Sequence, residues 1–147
     1  MTDKKETIVK LKALLASTYT LYLKTHNYHW NVTGPMFSAL HILFETHYTE
    51  LAMAVDEIAE RIRALGAKAP GSYSEFEELS LIKESTGEPT ATEMLKDLTS
   101  DQEIIAKLAL EVVGAASAVG DEATAGIATD RQSIHGKNAW MLRSHLE

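Results

Sequence analysis

An all-α fold, a four-helix bundle with one long crossover, is what this 147-residue sequence predicts, on three observations. Apolar residues recur every three to four positions over long stretches, as on helix faces turned towards a common core. Breaks containing Gly or Pro separate those stretches. No stretch alternates apolar and polar residues as a half-buried strand does, and no internal repeat or low-complexity segment interrupts the pattern.

The first helix is expected over residues 4–30, with Ile8, Leu11, Leu15, Tyr19 and Tyr22 on its apolar face. Asn31-Val-Thr-Gly34-Pro35 then breaks it with strong turn chemistry. The second helix runs from about Met36 to Leu65. Leu40, Leu43 and Phe44 open its apolar face, Leu51, Val55, Ile58 and Ile62 continue it, and Gly66 stops it as a C′ residue. Residues 66–73 form a loop containing Pro70 and Gly71. The pattern Ser74-Glu-Phe-Glu77 resembles a capping box, which places a short extra helix at about Glu75 to Leu81, inside the crossover between the second and third long helices. Ser85-Thr-Gly-Glu-Pro89 breaks the chain again. Thr90-Ala-Thr-Glu93 caps the third long helix, which reaches about Val119. Gly120 ends it, and Asp121 caps a fourth that runs nearly to the C-terminus. Gly114 and Gly136 weaken these last helices by ~1 kcal/mol each relative to Ala. The ferritin-like folds share this architecture of four long helices and one long connection.

The length fits one domain over residues 1–147, large enough to bury a core. The absence of cysteine excludes disulfides, thiolate zinc sites and cysteine nucleophiles, so any metal site must use imidazole and carboxylate. The first ten residues, MTDKKETIVK, lack the apolar run of a signal peptide, and no stretch approaches the ~20 apolar residues of a membrane span. A cytoplasmic location is expected. The net charge of −7 disfavours nucleic acid as a partner. Lys4, Lys5, Lys10 and Lys12 are interleaved with Asp3 and Glu6 and read as a solvated first helical turn rather than a basic patch.

Five residues carry the candidate chemistry: His29, His41, Glu45, Asp56 and Glu60. His41/Glu45 and Asp56/Glu60 are i, i+4 pairs, and each pair shares one helix face. From Glu45 to Asp56 is eleven residues, about 1,100° of rotation and only ~20° off three full turns, so all four lie on one stripe. His41 and Asp56 are nevertheless roughly 22 Å apart along a straight helix, too far for one metal ion. The positions are symmetric about the midpoint between Glu50 and Leu51. Two copies of the helix packed antiparallel about a two-fold axis there would set His41 against the partner's Glu60, and Glu45 against the partner's Asp56, making two complete sites from identical halves. Acids meeting acids beside Leu, Val and Ile would be costly without a bound cation. His29, at the end of the first helix before the Gly-Pro turn, can be folded back beside His41. Each element also has a plainer reading: a lone helical histidine is usually structural, and Asp56-Glu57…Glu60-Arg61 can be a solvated face with i, i+4 charge pairing. Glu-x-x-His, used by di-iron centres held within one subunit, occurs nowhere in the chain.

The run His29-Trp-Asn-Val-Thr-Gly34, followed by Phe37, Leu40-His41, Phe44, Tyr48 and Asp56-Glu-Ile-Ala-Glu60-Arg61, closely resembles the Dps family of mini-ferritins, the DNA-binding proteins from starved cells. Tyr73-Ser-Glu-Phe, Gly120-Asp-Glu-Ala-Thr and His135-Gly-Lys-Asn-Ala-Trp140-Met-Leu-Arg extend the resemblance over essentially the whole chain. It implies a hollow homododecamer. It also implies ferroxidase centres at the two-fold interfaces that oxidise Fe2+ with hydrogen peroxide, or more slowly with oxygen, and storage of ferric oxide inside as protection against oxidative stress. His29 and His41 would come from one subunit, Asp56 and Glu60 from its neighbour, and Glu45 would bridge or lie just behind. Trp30 is a candidate sacrificial electron donor, with packing as the plainer alternative. Asp121 and Asp130 match acidic residues that line the family's three-fold pores, through which iron enters. The chain departs from the family pattern at Glu45, where Asp is common, and at Gly126, which also often holds Asp. Zinc or manganese are possible surrogates for iron in such N/O sites. A DNA-compacting structural protein with a minor iron role is the alternative function. Against it stand the short N-terminus of mixed charge and the repulsion of phosphate by an assembly of acidic chains, from which weak or absent DNA binding is expected.

Overall fold

The computed structural model describes residues 3–147, so Met1 and Thr2 of the N-terminal stretch read above lie outside it. The chain folds into four long helices and one short one: α1 (Asp3–Asn31), α2 (Phe37–Ala64), α3 (Tyr73–Leu79), α4 (Ala91–Ala118) and α5 (Glu122–Arg143). No strand occurs among the described residues. This is the expected all-α bundle. Helices α1 and α2 form one antiparallel hairpin and α4 and α5 the other. They join chiefly through α1 against α4, while the α2–α5 seam is the thinnest contact.

The core follows the sequence periodicity. Leu11 and Leu15 of α1, Leu40, Phe44, Leu51, Ile58 and Ile62 of α2, and Leu95, Leu98 and Ile105 of α4 have lost essentially all contact with solvent. Each such side chain contributes ~1.5–3 kcal/mol by leaving water. Tyr19 and Tyr22 are only half-buried, at the edge of α1's inward face.

Two of the predicted stops are Schellman motifs. Gly66, at φ +94, lets its N–H reach the Arg63 carbonyl while Ala67 N–H reaches that of Ile62. Gly120, at φ +75, closes α4 the same way, with Asp121 N–H bonded to the Ala116 carbonyl. Asp121 then turns at once to its second task, its carboxylate accepting from Thr124 N–H to start α5. Thr90 and Glu93 form the expected capping box of α4.

The short crossover helix starts and ends two residues earlier than the sequence pattern predicts, at Tyr73–Leu79 rather than Glu75–Leu81. Two overlapping capping boxes compete here, and Ser72-Tyr-Ser-Glu75 prevails over Ser74-Glu-Phe-Glu77. Ser72 Oγ accepts from Glu75 N–H and donates to Glu75 Oε1, which also takes the Gly71 N–H. This register buries Phe76 against Tyr19. The far end stops because Ser80 turns extended and its hydroxyl bonds locally with both N–H and C=O of Ile82.

Candidate metal centre

The α1–α2 turn positions the candidate histidines. His29 occupies the last turn of α1 and His41 lies just inside α2, so the reversal through residues 32–36 brings them face to face. Their rings stack with centroids 3.8 Å apart and 13° between planes. Each ring is held by the other residue's backbone: His29 Nδ1–H donates to the His41 carbonyl at 2.7 Å, and His41 Nδ1–H donates to the His29 carbonyl at 2.7 Å. A carbonyl can only accept, so both hydrogens sit on Nδ1 and both Nε2 positions are left to face a ligand. A backbone carbonyl behind each imidazole is the usual support for a metal-ligating histidine. Glu45 follows one turn after His41, and one ligand atom from each of His29, His41 and Glu45 fall within 4.8 Å of one another. His29 is buried, His41 half-buried and Glu45 exposed, which makes a site open on one side.

Asp56 and Glu60 do not join this group within the chain. Both are exposed further along the same outward face of α2, where Ile42 and Met53 are also exposed, at 64% and 70%. An outward helix face that carries large apolar side chains between acids is poorly suited to water alone.

The ferritin-like domain family matches residues 8–147 of the chain. A "DNA protection during starvation protein 2" of Bacillus anthracis is 37% identical over 142 residues, covering 97% of each chain. The crystal structure of Dps from Staphylococcus aureus superposes with a TM-score of 0.96 at 33% identity, covering 99% of this chain and 97% of that one. The chain belongs to the Dps family. A Dps protein from Vibrio cholerae, described as a member of a broad superfamily of ferritin-like diiron-carboxylate proteins, superposes at 0.94 with 32% identity over 99% of this chain and 92% of that one. Through its family, the protein is a ferritin-like relative of stress and starvation proteins. No helix among the described residues is long and apolar enough to cross a membrane.

In this Dps chain Trp30 is 58% exposed and packs not on the paired histidines but on His26, with ring centroids 4.0 Å apart. The Asp121 carboxylate is taken up by the α5 cap: it accepts from Arg61 at 3.1 Å and from the Thr124 hydroxyl at 2.6 Å. Burial pushes its pKa up, but these bonds outweigh burial and hold it below the usual carboxylate value. Asp130 and Gly126 are exposed on α5.

Two buried polar networks carry no sequence motif. Lys24 pairs with Asp101 at 2.7 Å and Asp97 at 3.2 Å, while Tyr28 donates to Asp97 at 2.6 Å, tying α1 to α4. Burial raises the Asp101 pKa to about 6 against the pull of Lys24. Across the thin seam, Arg131 of α5 clasps Glu50 of α2 with two bonds and donates to His135 Nε2. His135 Nδ1–H in turn donates to Gln102. His47, two residues from Glu45 and pointing the other way, is buried with neither ring nitrogen bonded, and burial lowers its pKa to about 4 although Glu50 pulls it up. The only sequence hint of this second network is helical spacing, His47 to Glu50 and Arg131 to His135.

Proposed function

We propose that this Dps chain is a ferroxidase and iron store, which oxidises Fe2+ with hydrogen peroxide at centres shared between two subunits and keeps the ferric oxide inside a hollow homododecamer. The observation that carries this reading is the reciprocal locking of His29 and His41 through Nδ1, with a ligand atom of each lying within 4.8 Å of one another and of one from Glu45. A mixed imidazole and carboxylate set suits iron and leaves positions for peroxide. Three protein donors bind a first ion. The symmetric spacing of Asp56 and Glu60 along α2 supplies the remaining carboxylates from a second, antiparallel copy, and the exposed Ile42 and Met53 supply apolar surface for that contact. Two Fe2+ give up one electron each, peroxide takes both together with two protons, and two waters form, so no hydroxyl radical is released.

In this reading iron is the substrate, and the chain's work is to hold and orient it. His29 and His41 keep fixed rings, so little side-chain freedom is lost on binding. Glu45 and the partner carboxylates offset the charge that grows as Fe2+ becomes Fe3+. Asp130 would help draw cations towards a pore, whereas Asp121 is already engaged with Arg61 and Thr124. An assembly of chains of net charge −7 repels phosphate, so DNA is expected to bind weakly or not at all at physiological salt.

The test is gel filtration after anaerobic Fe2+ loading and peroxide addition, with protein and iron followed in the same fractions. Iron is expected to co-elute with a particle of about twelve chains. Iron that precipitates apart from the protein, or a protein that elutes as a monomer, would overturn the reading.

A further inference from the structure

Phe37 is a large apolar side chain with no place in the core. It opens α2, is 41% exposed, and lies outside the cluster of buried residues that joins the helices. Among the described residues its ring stacks on one other, that of His41, with centroids 5.0 Å apart and 24° between planes. Phe37, His41 and Glu45 follow one another at one residue per turn, so the phenyl ring precedes the imidazole on the same face of α2. His29 is stacked on that imidazole too, at 3.8 Å. Two rings on one face would also meet each other, and Phe37 and His29 do not, so they take opposite faces of His41. The stack runs Phe37, His41, His29, with Tyr48 standing at 68° against the last ring.

The Nδ1–H bond to the His29 carbonyl fixes one atom of the His41 ring. A ring held at one atom can still rock about that bond, and half-buried His41 has water at hand to bond instead. We propose that Phe37 is a positioning residue for the metal centre. By stacking on His41 it holds the imidazole in the plane in which Nε2 meets an ion, and so sets how tightly the first ion is bound. This rests on the ferroxidase reading above for the identity of that ion as Fe2+. Two effects act together. Freedom that the ring has already lost is not lost again on binding. A bound cation also draws electrons from the imidazole, and the electron-rich face of a phenyl ring attracts an electron-poor partner. An aliphatic side chain of similar size covers the imidazole but offers neither a flat surface nor π electrons.

The experiment is an anaerobic titration of the assembled protein with Co2+, followed by its d–d absorption, with thermal melting and particle size of the metal-free proteins measured in parallel. Loss of the Co2+ signal in His41→Ala locates the ion. Phe37→Ala is expected to raise the Co2+ concentration at half-saturation about 10-fold, the lower end of what removing a ligand's support costs. Melting and particle size should stay as in the wild type. Phe37→Tyr and Phe37→Trp are expected to restore binding, and Phe37→Leu is not. With Fe2+ and peroxide, Phe37→Ala should need more Fe2+ to reach half its maximal rate and keep that maximal rate. Unchanged half-saturation in Phe37→Ala, or recovery in Phe37→Leu equal to that in Phe37→Tyr, would overturn the proposal. So would a Phe37→Ala particle that falls apart or melts early, which assigns the ring to assembly or folding. Failure of the ferroxidase reading shows separately, as a wild type that binds Co2+ through His41 yet oxidises no Fe2+ with peroxide. Co2+ binding that survives His41→Ala overturns both.

Discussion

At the scale of single residues, the buried charges and imidazoles make the sharpest predictions. If the centre is shared, His41→Ala and Glu60→Ala each remove one ligand and should slow iron oxidation at least ~10-fold. Subunits of the two variants mixed and reassembled should recover activity, because each mixed pair holds one centre with both defects and one with none. Recovery is measured as oxidation rate against mixing ratio, and its absence would place each centre within one chain. His47 makes a different prediction. Its folded pKa of about 4 lies below the ordinary 6.5, so between those values the unfolded chain binds the extra proton and folding stability falls as pH falls. The shift corresponds to roughly 3 kcal/mol, fully present above pH 6.5 and lost on acidification through pH 4. Asp101, raised to about 6, slopes the opposite way. The difference between wild type and His47→Leu isolates the imidazole: the variant should melt no lower at pH 7, since no hydrogen bond is lost, and should lose less stability by pH 4.5. Thermal melts across that range decide it.

At the scale of the elements, most of the fold was legible because its stops are chemical. Gly66, Gly120, Thr90 and Asp121 each do the capping job that their residue type and position imply. Thr90→Ala should cost ~1 kcal/mol, and Gly120→Ala a similar amount through its positive φ, both read from chemical denaturation. The crossover helix was placed two residues late because serines at 72 and 74 both offer a capping box. The choice between them depends on the packing of Phe76 on Tyr19, a contact between residues far apart in sequence. The Lys24–Asp101 and Arg131–Glu50 pairs were illegible for a related reason: local sequence does not say which charges end up facing one another across a bundle. The paired histidines were legible since a five-residue turn leaves them few other places to go, but their mutual backbone bonds were not.

At the scale of the whole molecule, the α2 face is the informative surface. His41 and Glu60, and Glu45 and Asp56, lie symmetrically about the helix midpoint, and this regularity could be read without coordinates because the proposed antiparallel two-fold would impose it on sequence numbers. A three-fold contact would impose no such rule. Met53→Asp puts a charge on a side chain that is already 70% exposed in the single chain. It should therefore leave the helix content intact while shifting the particle to smaller species, as followed by circular dichroism and light scattering. Loss of helix together with size would show that the face serves folding rather than assembly.

If iron binds as proposed, the mutual clasp of His29 and His41 makes the turn between them thermodynamically answerable to it. If ordering residues 32–36 strengthens the metal's grip, then the metal must in equal measure strengthen that loop, since coupling between two equilibria runs both ways. Ions bound at the two rings should slow hydrogen exchange at the Val32 amide, which donates to the Tyr28 carbonyl and touches no ligand atom. Gly34→Ala, strained at φ +103 though nothing lies within 4 Å of the added carbon, should loosen iron from a distance. The turn would then work as a gauge of occupancy, letting the solvent side of each subunit register whether its centre is filled.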